Sequence, residues 1–512
     1  MSDRPKEVGT FCLVLHSHLP WLAHHGSWPV GEEWIYQAWA SSYIPVVNVL
    51  NRLAAEGRTN LLTLGVTPVL AAQLDDDYCL QQFHTWLGFW SERAHQMAQS
   101  GDPQVREVAA YEARTARQTT AVFEQLWSRG ASAALRPLVD SGAIELLGGP
   151  AAHGFQPLLD DKVAAFALQV GLDDTALRIG HRPSGIWAPE CGYRPGLEEL
   201  YAQAGVGHFM MDGPSLLHVD RSTADAWTVG DSGVVAFGRD LDVTYRVWSP
   251  RRGYPGGSWY RDFHSFDHDT GIRHARVTST KTDSKDKAIY EPDAAMGAVG
   301  RDADDFVEVV VRRLESLRRE RDGKPAIVVA AYDTELFGHW WHEGPAWLEQ
   351  VLRKLPAAGV RVTTLEDAKN TGAVGGAAQP QNSSWGSGKD WSVWAGVAVE
   401  DLVEDNEALQ RRWRKISDLV RTDSASVTRN PALDQLGRDA LLALSSDWAF
   451  MVTKDSAAGY ARDRHNAHHG DFNKLASLIE AGSPSADFAL ERARAHRIND
   501  GFLGHLDGRL LH

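Results

Sequence analysis

Short apolar runs alternate with long helical patterns through the first 370 residues, and this alternation is the feature that most limits the possible folds. Runs typical of buried strands cover residues 10–15, 60–64, 143–147, 185–188, 208–211, 326–331 and 360–365. Helical patterns fill most of the intervals, and strands that are joined through helices run parallel. Because parallel strands of this kind close into a TIM-like barrel, the sequence predicts an α/β fold of that type.

The regular alternation stops between residues 214 and 300, where Gly, Asp, Arg and aromatic residues are frequent and only 234–237 and 244–248 resemble strands. We expect this segment to be an inserted loop domain over the barrel mouth. Residues 370–390 are rich in small and polar residues and predict a linker. The sequence thus predicts a catalytic barrel over 1–369, and a helical domain over 391–512 with helices at 406–421, 431–454 and 485–499.

The formal net charge of −15 repels polyanions, so a neutral substrate is expected rather than nucleic acid or an acidic membrane face. Cys12, Cys79 and Cys191 form no C-x-x-C pair, which argues against a disulfide framework and a structural zinc site. The N-terminus is charged with no apolar signal region behind it, and no apolar run reaches membrane length. These features predict a cytoplasmic protein, and they leave its oligomeric state open.

Two carboxylates stand where predicted strands meet their loops. Glu190 follows the apolar run 185–188 and Pro189, and Asp333 follows the run 327–332. Parallel strands of a barrel present their carboxyl ends at one mouth, so we expect the two groups to face each other. Such a pair suits glycoside chemistry, because one group attacks the anomeric carbon while the other transfers the proton. Glu335 is a rival for the second role, since it shares a face with Asp333 on an extended segment.

Four ordered motifs resemble glycoside hydrolase family 57, and within it the 1,4-α-glucan branching enzymes. They are His-Ser-His-Leu-Pro at 16–20, Gly-Ile-Trp-Ala-Pro-Glu-Cys at 185–191, Asp-Thr-Glu-Leu-Phe-Gly-His-Trp at 333–340 and Ser-Asp-Trp at 446–448. The resemblance implies an incomplete (β/α)7 barrel with an inserted loop domain and a C-terminal helical domain that contributes to the active site. It also implies a retaining mechanism without a cofactor, in which Glu190 is the nucleophile and Asp333 the general acid/base.

The branching prediction depends on a lid. Residues 249–257 have the Gly and Pro spacing of a tight mobile turn with Tyr254 as its aromatic tip. The turn is similar to the flexible loop of the branching enzymes, whose tyrosine serves transfer, so the expected partners are an α-1,4-glucan donor and an α-glucan acceptor. Two residues depart from the family pattern, Gly257 after the turn and Ala449 after the Ser-Asp-Trp motif.

Sugar rings pack their C–H faces on aromatic rings, so tryptophans in loops are candidates for glucan binding. The resemblance places Trp34, Trp385 and Trp394 at such contacts. Histidines near the predicted mouth are expected to bond sugar hydroxyls, and Arg261 is expected to line the same mouth. The full predicted set of substrate-binding residues is His16, His18, Trp34, His153, Arg261, His339, Trp340, Trp385, Trp394, Asp447 and Trp448.

Two alternatives remain open at this point. The first is a hydrolase or 4-α-glucanotransferase of the same family, which makes no α-1,6 bonds. The second is a metal-dependent carbohydrate-active enzyme, with ligands drawn from His16, His18, His153, Asp333 and His339. The residues contain no short metal-binding motif with an Asp, so we expect no metal.

Overall fold

The computed structural model describes residues 8–27, 30–249, 253–279, 281–423, 429–482 and 485–511. Its strands within those residues are β1 Gly9–Ser17, β2 Leu62–Val66, β3 Ile144–Leu147, β4 Gly185–Ile186, β5 His208–Met211, β6 Ala226–Val229, β7 Val235–Gly238, β8 Ile327–Asp333, β9 Val360–Thr363 and β10 Val374–Ala378.

The helices lie between and after these strands. Up to the last strand they are α1 Glu32–Ala38, α2 Ile44–Ala55, α3 Pro68–Leu74, α4 Asp77–Met97, α5 Pro103–Val122, α6 Ala131–Asp140, α7 Asp161–Ile179, α8 Leu197–Gln203, α9 Gly213–Leu217, α10 Leu241–Val247, α11 Pro292–Glu320, α12 Gly344–Ala357 and α13 Leu365–Asn370. The C-terminal helices are α14 Ser392–Ala395, α15 Glu400–Asp423, α16 Pro431–Ala443, α17 Ser446–Lys454, α18 Ala458–Glu480 and α19 Ala486–Asp500.

Seven of the described strands form a parallel barrel in the order β8-β1-β2-β3-β4-β5-β7. Two bonds join β3 to β4, from Gly148 N to the Gly185 carbonyl (3.0 Å) and from Trp187 N to the Gly148 carbonyl (2.9 Å). Among the described residues no ladder joins β7 to β8, and a single bond from Asp240 N to the Val329 carbonyl (2.8 Å) spans that gap. The predicted incomplete barrel is therefore confirmed.

Successive side chains of β1 point to opposite faces of the sheet, and both faces of this strand are buried. Cys12 and Val14 point inward, where they pack with residues of β8 such as Val329. Their neighbours Phe11 and Leu13 point outward and pack under the surrounding helices. A strand that is buried on both faces needs apolar residues at odd and even positions alike. This explains why the sequence of β1 is a continuous apolar run.

The predicted strand over 244–248 is wrong, because this segment lies in helix α10. The Asp240 side chain caps the helix by accepting a bond from Val243 N (3.0 Å). Val243 and Val247 lie one turn apart and are both buried in the main core. The short run of β-branched residues therefore packs with a helical period, not with the period of a strand.

The predicted insertion over 214–300 is also shorter in the structure. Strand β7 pairs with β5 in the barrel, and β6 pairs antiparallel with β7. Between α10 and α11 the described residues form only short turns and isolated bridges. The predicted linker over 370–390 contains a strand, since β10 pairs with β6.

The C-terminal helices pack on α16, whose residues from Ala432 to Ala443 are buried. The sequence predicted one continuous helix over 431–454, but the helix breaks after Ala443 and restarts at Ser446. At the break, Ser446 N donates to the His153 carbonyl of the barrel (3.1 Å). No helix among the described residues is long and apolar enough to cross a membrane.

A polar network closes the barrel at the end opposite the mouth. The Glu145 carboxylate contacts His208 Nε2 (2.5 Å) and accepts bonds from Thr63 Oγ1 (2.9 Å) and Glu366 N (3.0 Å). These partners come from β2, β5 and α13, so one buried side chain on β3 joins three other elements. A buried charge is tolerated when its hydrogen bonds are satisfied in this way.

Replacing Glu145 with Ala should lower the free energy of unfolding by about 3 to 5 kcal/mol, because it leaves a buried histidine and a buried hydroxyl without their partner. Urea denaturation of Glu145→Ala and of the wild type measures this loss. The matched control is Glu107→Ala, which removes an exposed carboxylate. Equal midpoints for Glu145→Ala and the wild type would contradict the structural role of the network.

Candidate active site

A cavity of about 770 Å³ opens at the carboxyl ends of the barrel strands, between the barrel and the C-terminal helices. It is large enough for several sugar units, and it brings together most of the residues that the sequence singled out. Those in its lining are His16, His18, Trp34, His153, Glu190, Asp333, His339, Trp340, Trp385, Trp394 and Asp447.

Glu190 lies in a tight turn after β4, with a left-handed backbone (φ 61°) that is uncommon for a residue other than glycine. Its carboxylate accepts one bond from Trp385 Nε1 (2.9 Å) and one from Ser446 Oγ (2.9 Å). Burial raises the pKa of Glu190 to about 7, even though both of these hydrogen bonds act to lower it. The group is therefore fixed in orientation and close to its protonation midpoint at neutral pH.

Three histidine rings stack beside Glu190. The ring of His153 lies 3.7 Å from that of His18, and His16 stacks on Trp187 at 4.3 Å. His16 Nε2 and His153 Nε2 are 3.1 Å apart, and His153 Nδ1 bonds Ser446 Oγ (3.0 Å). Burial lowers the pKa of both His16 and His153 well below the ordinary value, so these two rings are neutral at pH 7.

His18 differs from its neighbours because its Nε2 bonds the Asp447 carboxylate (2.9 Å). Burial acts to lower the pKa of His18, but the facing carboxylate outweighs it and the pKa is raised. Burial likewise acts to raise the pKa of Asp447, and the His18 ring overcomes it and lowers that pKa to about 2. Because Asp447 lies in the first turn of α17, this ion pair joins the barrel mouth to the C-terminal helices.

Asp333 ends β8 in register with His16 of β1. Its carboxylate has no hydrogen bond within the part of the chain that the structure describes, and burial raises its pKa to about 6. The rival Glu335 is buried at 4% exposure and accepts bonds from Tyr43 OH (2.5 Å) and His18 N (3.2 Å). Burial raises the pKa of Glu335 to about 8. Asp333 is thus the more accessible acid, whereas Glu335 is held by the barrel wall.

Aromatic rings form much of the remaining lining. The ring of Trp394 stacks on Phe155 at 4.7 Å, and that of Trp340 stacks on Trp248 at 5.8 Å. Trp34 is half-buried near Tyr460. Burial lowers the pKa of His339 to about 3, which leaves a neutral ring that can exchange hydrogen bonds with a neutral ligand.

Two of the predicted substrate contacts lie outside the lining of the catalytic cavity. Trp448 is 1% exposed and packs among the C-terminal helices, where its Nε1 donates to the Leu442 carbonyl (2.8 Å). The side chain following Asp447 on a helix points about 100° away from it, which explains the difference. Arg261 lines a second cavity, where its guanidinium donates to Glu112 (2.7 Å).

Tyr254, the tyrosine predicted to belong to the lid, also lies outside the catalytic cavity. Tyr254 is 4% exposed, not at an exposed tip, and it is absent from the described lining of the catalytic cavity. Its hydroxyl donates to Asp305 on α11 (2.5 Å), and its ring packs near Trp341 (6.2 Å) and under Arg246. Residues 250–252 of the predicted turn lie outside the described residues.

Several residues of the cavity were missed from the sequence. Ser446 stands in a recognised motif, and its helix-starting position is a signal that could have assigned it a bonding role. Arg239 and Lys389 both pair with the buried Asp212, at 2.8 and 2.7 Å, and they line the cavity wall near Trp385. Their pairing joins segments far apart in sequence, so no local pattern indicates it.

One group among the described residues has the spacing of metal ligands. Single ligand atoms of His18, His153 and Asp447 lie within 4.8 Å of one another. The set differs from the predicted alternative, since it includes neither Asp333 nor His339. The same nitrogens already bond Asp447, His16 and Ser446, so an ion would have to displace these contacts.

Comparison with known proteins gives two family matches and several close relatives. Residues 12–375 match the model of glycosyl hydrolase family 57, and residues 408–510 match that of the 1,4-α-glucan branching enzyme C-terminal region. A probable 1,4-α-glucan branching enzyme of Mycobacterium tuberculosis is 52% identical, with 98% of each chain covered.

Two solved structures resemble the fold. The family 57 branching enzyme of Thermococcus kodakarensis, solved with glucose, superimposes with a TM-score of 0.93 at 29% identity, over 98% of this chain and 96% of that one. The α-amylase AmyC of Thermotoga maritima has a TM-score of 0.85 at 26% identity, over 98% and 99%. On its matched sequence and its barrel with a paired-carboxylate cavity, the chain belongs to glycoside hydrolase family 57.

Proposed function

We propose that this chain is a retaining 1,4-α-glucan branching enzyme. The observation that carries the proposal is the arrangement of Glu190 and Asp333 in one cavity, with Glu190 held by two hydrogen bonds and Asp333 free of them. A nucleophile needs a fixed orientation, and an acid/base needs room to exchange a proton with two different oxygens. The branching enzymes among its relatives support the same activity.

In the first half-reaction, an α-1,4-glucan donor lies across the tryptophan-lined cavity. Glu190 attacks the anomeric carbon, and Asp333 gives its proton to the departing glycosidic oxygen. The C1–O4 bond breaks as the C1–Glu190 ester forms, so the reducing-end part of the donor leaves. In the second half, Asp333 takes the proton of an acceptor 6-hydroxyl, which attacks C1 and releases Glu190. The two inversions give an α-1,6 branch.

Transfer without hydrolysis requires that water stays away from the glycosyl-enzyme. We assign this step to Tyr254, as the family resemblance implies. Its ring now packs on the core side of the turn, with its hydroxyl on Asp305. The proposal therefore includes a movement of the turn that breaks this bond and carries the ring to the cavity.

Hydrolysis is the second candidate, because AmyC shares this fold and is an α-amylase. Water in place of the acceptor hydroxyl completes the same double displacement.

The proposal further includes a cytoplasmic location, which suits the three buried and unpaired cysteines.

Debranching separates the two activities. Incubation with amylose should give a product that releases new short chains only after isoamylase treatment, because these chains are attached through α-1,6 bonds. Chain-length profiles before and after debranching are the measurement, with reducing-end assays in parallel. Reducing sugar that appears without such chains would contradict branching and favour hydrolysis.

The pH dependence of kcat/KM should be bell-shaped, with limbs near pH 6 and pH 7, because the reaction needs one proton on the Glu190–Asp333 pair. Below the lower limb both groups are protonated and the nucleophile is lost. Above the upper limb both are ionised and no acid remains.

Replacing Ser446 with Ala removes a bond that lowers the pKa of Glu190, so the basic limb near pH 7 should move to higher pH. The plateau of kcat/KM should fall, because the form with Glu190 ionised and Asp333 protonated becomes less populated. The matched control is Ser417→Ala, whose hydroxyl bonds the Leu511 carbonyl within the C-terminal helices. A basic limb that stays in place in Ser446→Ala would refute the assignment of that limb to Glu190.

A further inference from the structure

A second cavity of about 390 Å³ adjoins the catalytic one. The two share Phe263, His339 and Trp340 in their walls, so they lie next to each other. Beyond it lies a hollow of about 380 Å³ that shares Glu33, Trp86 and Arg93 with the second cavity. The three hollows therefore follow one another from the catalytic cavity to α4. We call the part beyond Trp340 the α4 groove, defined by Glu33, Trp86, Phe89, Trp90, Arg93 and Tyr111.

The tryptophans of the α4 groove are fixed by their polar edges. Trp86 Nε1 donates to Glu33 (2.9 Å), and Trp90 Nε1 donates to Glu112 (2.8 Å). The two residues are one helical turn apart, both are half-buried, and their ring centroids are 5.8 Å apart. With the indole nitrogens occupied, the parts left to a ligand are the apolar ring faces, which are the surfaces that sugar C–H groups contact.

Polar groups accompany these rings. The guanidinium of Arg93 lies over the Trp86 ring (5.4 Å), and its Nε is buried without a hydrogen-bond partner among the described residues. Arg93 lines both the second cavity and the hollow beyond it, so its guanidinium N–H groups can donate to ligand hydroxyls there. The exposed ring of Phe89 extends the apolar surface beyond it. Alternating ring faces and hydroxyl partners suit an oligosaccharide better than a charged or purely apolar ligand.

We propose that the α4 groove binds the acceptor α-glucan chain during branching. The inference rests on the proposed function. The second cavity borders the catalytic one at His339 and Trp340, which follow Asp333 in the same loop, so the groove lies on the side of the acid/base. The acceptor hydroxyl must give its proton to Asp333, and an acceptor that extends outward from that point enters this groove. Trp385, by contrast, contacts Glu190 and lines the catalytic cavity but not the second one.

The test uses unlabelled amylose as donor and a fluorophore-labelled maltooligosaccharide as acceptor, at varied acceptor concentration. In the double variant Trp86→Ala/Trp90→Ala, the KM for the acceptor should rise about tenfold, because two stacking surfaces are lost. The ratio of transfer to hydrolysis at low acceptor concentration should fall by a similar factor. Arg93→Ala should raise the acceptor KM in the same direction, which gives a second variant if the double variant folds poorly.

The matched control is Trp259→Ala, which removes a partly exposed tryptophan that lines neither cavity and packs under Arg276. It should keep the wild-type acceptor KM. An unchanged acceptor KM in both groove variants would overturn the proposal. So would a parallel loss of transfer and hydrolysis, since that result places the donor in the groove. If the wild type itself forms no labelled branched product, the branching function fails, and the groove proposal fails with it.

Discussion

The rest of the site depends on one buried carboxylate and the two donors that hold it. Glu190 is 8% exposed, and a carboxylate in such a place stays ionisable only if its oxygens are bonded. Both donors, Trp385 and Ser446, come from the chain beyond the barrel strands. The barrel therefore supplies the proposed nucleophile, whereas the orientation of its carboxylate is set by the C-terminal part of the chain. A barrel without that part would leave Glu190 unsupported.

The histidine cluster also depends on the C-terminal part of the chain. Asp447 faces His18, raises its pKa and favours its charged form, and this contact fastens the start of α17 to the end of β1. His16 and His153 stay neutral, which avoids several like charges in one stack. The break between α16 and α17 is what brings Ser446 and Asp447 to the mouth together. The break in the helical segment thus supplies two residues of the site that the barrel alone lacks.

Most of the barrel could be predicted from the sequence, because a strand buried on both faces leaves a continuous apolar run such as that of β1. Glu190 and Asp333 could be predicted from their positions after such runs and from the family motifs. Trp448 and Arg261 could not, since the direction of each side chain is decided by partners distant in sequence, the C-terminal core and Glu112. Helix α10 was missed because its capping residue, Asp240, outweighs the strand preference of its β-branched residues.

The most direct test of the central claim is to trap the glycosyl-enzyme. A 5-fluoro α-glycosyl fluoride forms a covalent intermediate that breaks down slowly, and peptide mapping by mass spectrometry locates the modified residue. The structure predicts a single adduct on Glu190. An adduct on Asp333 or Glu335, or turnover of the reagent with inversion and no adduct, would contradict the account.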